Sequence, residues 1–229
     1  MSSVPTKSNP ASRLTWPDLV TVALIAAVSM VLKPYLRAPF SFVQTTLGVP
    51  IGVFLGGVYM FWPVLAGYLV PRRGVIFLTC LLQGLLALAT GLTGLLGPMA
   101  FFSYLAPGVV IEVLGLLPGS PVGRKIDPGD RAGTARAAAG AAAPHQARAP
   151  GGLVWSVVAA GLGNVAGAAT NALLFFALRG TAFTLALTAS FLTGAAGGWL
   201  AHVVGWRVAR AFRRERRETT REDMREGEV

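Results

Sequence analysis

The sequence predicts an all-α integral membrane protein, a bundle of six transmembrane helices with a long cytoplasmic loop between helices four and five. Three observations lead there. Of 229 residues, 53% are hydrophobic and 13% charged, about half the charge of an ordinary soluble domain. Between Asp18 and Leu117 the charges are Asp18, Lys33, Arg37, Arg72, Arg73 and Glu112. They leave repeated apolar runs of about 20 residues, the length a hydrocarbon core of about 30 Å asks of a helix. The remaining Lys and Arg gather in tails and loops, the distribution of a multi-pass protein of a plasma or bacterial inner membrane.

Residues 1–17 form a polar cytoplasmic tail that ends on a helix start. Thr15 is a capping residue, Pro17 suits an early helical position, and Asp18 complements the positive helix end. Trp16 belongs at headgroup level. Helix one then runs from about Asp18 to Tyr35, with no small-residue cleavage site after it, so it is read as retained rather than as a signal peptide. Helix two spans about Gln44 to Val70, bent by Pro50 and Pro63. A basic turn, Pro71-Arg72-Arg73-Gly74, leads into helix three, about Val75 to Thr90. The glycine-rich turn from Gly91 to Pro98 precedes helix four, about Met99 to Leu117, with Pro107 inside it. The membrane region 18–117 ends there, and from Pro118 to Gly152 the chain is rich in Ala, Gly, Pro and Arg. Such a segment buries too little apolar surface to offset its ordering entropy, so residues 118–152 read as a disordered cytoplasmic loop. Helices five (about Leu153 to Leu178) and six (about Thr181 to Ala209) make up the second membrane region, 153–209. The tail 210–229 is a mixture of Arg and Glu that reads as a solvated cytoplasmic helix.

Six crossings put both chain ends on one side. Seventeen of the twenty Lys and Arg then share that side, leaving Lys33, Arg37 and Arg179 opposite. This asymmetry orients the termini and the long loop toward the cytoplasm. The net charge of +10 therefore reflects topology, and nucleic acid is not an expected partner. A single cysteine, Cys80, excludes an intrachain disulfide. No nucleotide-binding GxxxxGK[ST] loop, H-E-x-x-H or G-x-S-x-G motif occurs. Enzymatic activity, a cofactor and a metal site are not expected. His145 falls in the long loop, and His202 near the inner end of helix six reads as structural or interfacial.

Polar groups inside the bilayer must find partners, which makes them the candidate solute contacts. Glu112 lies in the inner half of helix four, with Tyr104 and Gly108 on its face at intervals of four. It is either a binding or coupling group, or is hydrogen-bonded to a neighbouring helix or to Arg72 or Arg73. On helix five Ala159, Gly163, Gly167 and Asn171 recur every four residues, with Asn164 seven before Asn171. The small residues admit a neighbouring helix, and helix six offers a matching Ser190, Gly194, Gly198 ridge. Asn171 and Asn164 suit an uncharged or zwitterionic solute, or serve as interhelical hydrogen bonds. Gln83, mid-membrane on helix three with Thr79 a turn earlier, has the same two readings. Gln44, Tyr59, Trp62 and Trp155 read as packing or interface residues. Ala23 and Ala27 on helix one, with Ala26 alongside, form an AxxxA pair suited to close helix contact within the chain or with a partner.

These features resemble the substrate-binding S components of energy-coupling factor (ECF) transporters. The likeness rests on size, six helices with cytoplasmic ends, and the Ala23-x-x-x-Ala27 pair. Within the family it is greatest to the thiamin-precursor-related YkoE branch, through Ala66-Gly67-Tyr68-Leu69-Val70-Pro71-Arg72-Arg73-Gly74, Gly97-Pro98-Met99 and the Glu112 segment. It covers roughly residues 18–117 and 153–205. The resemblance implies capture of a vitamin or related micronutrient near the outer face. It also implies docking of Ala23 and Ala27 on a coupling transmembrane subunit, and two ATPase subunits that hydrolyse ATP. Where the branch carries acidic residues on helix three and near Asn171, this chain has Thr79, Cys80, Gln83 and Asn171 itself, which argues against a thiamin-like cation. The segment from Arg37 to Leu47 is expected to be a loop that closes over the solute. Two other functions fit the same composition: a proton-coupled carrier with Glu112 as its proton site, and a membrane scaffold whose polar residues only tie helices together.

Overall fold

The computed structural model describes residues 14–47, 52–117, 150–176 and 180–226. The N-terminal tail to residue 13, most of the long loop with His145, Arg179 and the last three residues lie outside the described residues. Six helices and no strand occur among the described residues: α1 (Trp16–Leu47), α2 (Gly52–Leu69), α3 (Val75–Ala89), α4 (Ala100–Leu114), α5 (Pro150–Asn171) and α6 (Thr181–Glu226). The spans Trp16–Leu36, Gly97–Leu114, Gly152–Leu174 and Phe183–Val208 are long and apolar enough to cross a membrane, whereas Leu55–Leu69 and Val75–Ala89 are shorter apolar helices. The outside of the bundle is apolar, with Leu24, Val31, Leu173, Leu185 and Leu192 all more than half exposed. In water such a surface would drive association; in hydrocarbon it is solvated.

α1 begins at a cap. The Thr15 amide and hydroxyl donate to Asp18 Oδ2 at 2.9 and 2.7 Å, so the side chain of the third helical residue reaches back to the capping residue. Arg72 Nε also binds that oxygen at 2.8 Å, joining the start of α1 to the turn between α2 and α3. Three boundaries depart from expectation. α1 continues through Pro34 and Pro39 to Leu47, so the segment Arg37 to Leu47 is helix rather than a closing loop, and Gln44 belongs to the end of α1. A proline removes one hydrogen bond from the ladder, and a membrane helix tolerates that locally. α2 accordingly starts at Gly52. α5 ends at Asn171 and passes into a π-helical turn, Ala172–Phe176, instead of continuing as α-helix to Leu178. The turn after α3 contains a 3-10 segment, Gly94–Met99, in which Gly97 adopts φ 54°, ψ −149°, a conformation that costs glycine little.

α2 is the inner helix, packed against α1, α3, α5 and α6. It is apolar around its circumference, as a helix buried on every side requires. One core joins Met60, Val64 and Leu65 of α2 to Ile76, Ile111, Ala159, Ala160 and Ala201 from the other helices. A second joins Val22 and Ile25 of α1 to Ala66, Val70 and Val75.

Glycines set the closest approaches. A Cβ on Gly197 of α6 would fall 1.9 Å from the Gly57 carbonyl oxygen of α2, and one on Gly198 would fall 2.1 Å from the Ser156 oxygen of α5. α6 therefore touches two helices through adjacent glycines. The Gly194–Gly198 ridge does meet α5, but along Ser156, Ala160 and Asn164. The α5 ridge of Gly163 and Gly167 turns instead to α4, where the added carbons would meet Ile111 Cδ1 at 2.7 Å and Ser103 O at 3.2 Å. Pro107 explains that choice. Lacking an amide hydrogen, it leaves the Ser103 carbonyl without its helical donor, and Gly167 lets the α5 backbone close over that exposed group.

Candidate functional site

Cross-helix contacts define two ends of the bundle. At the terminal end lie Asp18 and Arg72, together with Glu112, whose Oε1 accepts a hydrogen bond from the Gly74 amide. Tyr68 Oη sits 2.8 Å from both Gly152 O and His202 Nδ1, which gathers α2, α5 and α6 at the same end. Trp155 Nε1 donates at 3.1 Å to Leu114 O at the end of α4, a carbonyl that also accepts from the Leu117 amide at 3.2 Å.

Glu112 is thus part of the connection around α3. Gly74 precedes the first residue of α3 and has φ 84°, and its amide belongs to the positive end of that helix dipole. The side chain thus supplies an acceptor to an amide that the helix itself leaves unpaired. Glu112 Oε2 is buried with no hydrogen-bond partner among the described residues. The face Tyr104–Gly108–Glu112 runs along α3: Gly108 packs on Cys80, and the Tyr104 Cβ lies against Gly84. Its three positions face one neighbour at three levels, and Glu112 and Tyr104 are about 12 Å apart along the axis.

The other end holds a denser polar group. Gln83 Nε2 of α3 donates to Ser29 Oγ of α1 at 2.7 Å, and Ser29 Oγ donates to Ala26 O at 2.6 Å. Both side chains are buried. One turn beyond Ser29, Lys33 Nζ lies 4.2 Å from the centre of the Tyr104 ring and 5.1 Å from that of Tyr59, within the range of cation–π attraction. Tyr104 Oη is buried with no hydrogen-bond partner among the described residues. Four helices thereby contribute to one cluster: Ser29 and Lys33 from α1, Tyr59 from α2, Gln83 from α3 and Tyr104 from α4.

Gln83 and Tyr104 are thus brought into one neighbourhood, and Glu112 is not. Asn164 sits where α2, α5 and α6 meet, its Nδ2 donating to Ser190 O at 2.7 Å and Thr193 Oγ1 at 3.2 Å, with Gly56 against its amide. This is the interhelical tie that the residue type allowed. Asn171 closes α5 just before the π-helical turn, and its Oδ1 is buried without a hydrogen-bond partner among the described residues. Ala23 and Ala27 lie on the exposed side of α1, while Val22, Ile25, Ala26, Ser29 and Met30 face inward.

Lys33 was missed as a site residue because it counted only as a charge at the far end of helix one. A signal was present. Val22, Ala26, Ser29 and Lys33 step by four, three and four residues, so Lys33 continues the inward stripe of α1.

Residues 17–117, which span α1 to α4, match the family described as ABC-type cobalt transport system, permease component. Together with the apolar helices, this match supports a multi-pass membrane protein that is a component of a transport system. No curated protein and no solved structure matched the chain.

Proposed function

We propose that this chain is the solute-capturing subunit of an ATP-driven importer of the ECF type, taking up a vitamin or related micronutrient. One observation carries the reading: four helices enclose a polar group of Ser29, Lys33, Tyr59, Gln83 and Tyr104 at the end of the bundle away from the described termini. With the termini cytoplasmic, as the basic residues indicate, that group lies on the outer side of Glu112 and the Asp18–Arg72 pair. Buried polar side chains on helices that otherwise pack through apolar and small residues suit a small organic solute.

ATP hydrolysis then falls to two partner ATPases acting through a coupling membrane subunit. The exposed Ala23 and Ala27 supply a smooth strip on α1 against which a partner helix can lie closely. The arrangement of Glu112 favours this reading over a proton-coupled carrier, because its Oε1 is tied to the Gly74 amide at the terminal end, away from the polar group. The test is co-purification of the tagged chain with its coupling subunit and ATPases. Ala23→Trp and Ala27→Trp are expected to abolish recovery of the partners while leaving solute binding intact. Partners retained at wild-type levels in both variants would remove the docking strip, and with it this assembly.

A further inference from the structure

We infer that the captured solute carries an anionic oxygen group, a carboxylate or a phosphate, and that Lys33 is its counter-charge. This rests on the solute-capture reading and narrows it. A lysine near the end of a membrane helix normally extends its amine outward to the headgroups. Lys33 does the reverse, and its amine lies over the rings of Tyr104 and Tyr59 on two other helices. The ammonium is thereby held within the bundle, beside the buried Tyr104 hydroxyl that has no hydrogen-bond partner among the described residues. A phenol and an ammonium are both donors toward an anionic oxygen, and the Gln83–Ser29 pair lies one turn deeper.

Charge along the chain points the same way. Between residues 14 and 117 the acidic residues are Asp18 and Glu112, and both are engaged at the terminal end, with Thr15 and Arg72 and with Gly74. Toward the opposite end α1 carries Lys33 and Arg37. A field of that sign draws an anion in and repels a metal ion or an organic cation such as thiamin.

The test uses the full chain in nanodiscs, with thermal midpoint as the readout and matched probes differing in charge: nicotinate and nicotinamide, pantothenate and panthenol, biotin and biotinamide, with thiamin and cobalt(II) as cations. Mass spectrometry identifies any solute retained through purification. At least one acid is expected to raise the midpoint, with its neutral partner weaker by roughly ten- to a hundredfold, the range of a charge-assisted hydrogen bond. Lys33→Met is expected to abolish that shift, Lys33→Arg to keep part of it, and Tyr104→Phe to weaken it if the Met variant does not fold. Stabilisation by thiamin or cobalt(II), equal effects of acid and neutral partner, or a shift unchanged in Lys33→Met and Tyr104→Phe would overturn the anionic assignment and leave solute capture standing. A protein that retains no solute and responds to no probe would overturn both.

Discussion

Glu112 and Lys33 are the two charges whose neighbours change their meaning. From the sequence, a lone carboxyl in helix four is either a binding or coupling group or a hydrogen-bonded tie, and a lysine at the far end of helix one invites no role. The contacts assign the carboxyl to the Gly74 amide and the amine to two tyrosine rings. Glu112→Ala leaves the Gly74 amide without its acceptor, and a drop in stability of about 1–3 kcal/mol is expected, read as a lower unfolding midpoint. Glu112→Gln keeps an oxygen acceptor for that amide, and a smaller drop than in the Ala variant is expected. Uptake by the Gln variant is expected to persist. Its loss, with the protein folded, would return Glu112 to the role of a proton site. Asn164 was legible as a polar group that either meets a solute or ties helices together; its particular partners were not, because Ser190 and Thr193 are more than twenty residues away.

At the scale of elements, the small-residue ridges on helices five and six were visible as four-residue repeats. Close packing of these two helices followed from them and is observed, but the face of helix five that is used was not legible. Periodicity states that a face is small; it does not state which neighbour occupies it. Gly167 packs on Pro107 and the Ser103 carbonyl of α4, while α6 wedges between α2 and α5 on Gly197 and Gly198. Gly197→Ala would set its methyl 1.9 Å from the Gly57 carbonyl, and backbone cannot yield as a side-chain tip does. A loss of about 1–3 kcal/mol is expected from such overpacking. Gly152→Ala is the control, since the nearest atoms to its Cβ lie 3.8 Å away, and its midpoint is expected to stay near wild type. Equal midpoints for the two variants would show that the α2–α6 approach is looser than described. The sequence reading ended helix one near Tyr35, whereas α1 extends to Leu47, because Pro34 and Pro39 each interrupt one hydrogen bond in a helix whose remaining ladder continues.

For the whole molecule, Cys80 offers an intrinsic probe. It is 1% exposed, between α3 and Gly108 of α4, and it is the chain's single thiol. A membrane-permeant maleimide is expected to label it only as the bundle unfolds, with a midpoint that matches loss of helical signal. Rapid labelling of the native protein would mean that α3 and α4 separate readily. The sequence by itself determined that the chain is helical, that it belongs in a membrane, and that polar side chains are scarce enough to be informative. Those properties follow from hydrophobicity and charge summed along the chain, which no tertiary contact alters. Only the tertiary structure decided which faces meet, that Gln83 and Tyr104 share a neighbourhood from which Glu112 is excluded, and that Lys33 turns inward. Lipid solvates every apolar face of a helix alike, so helix orientation is selected by close packing and hydrogen bonds between residues far apart in the chain.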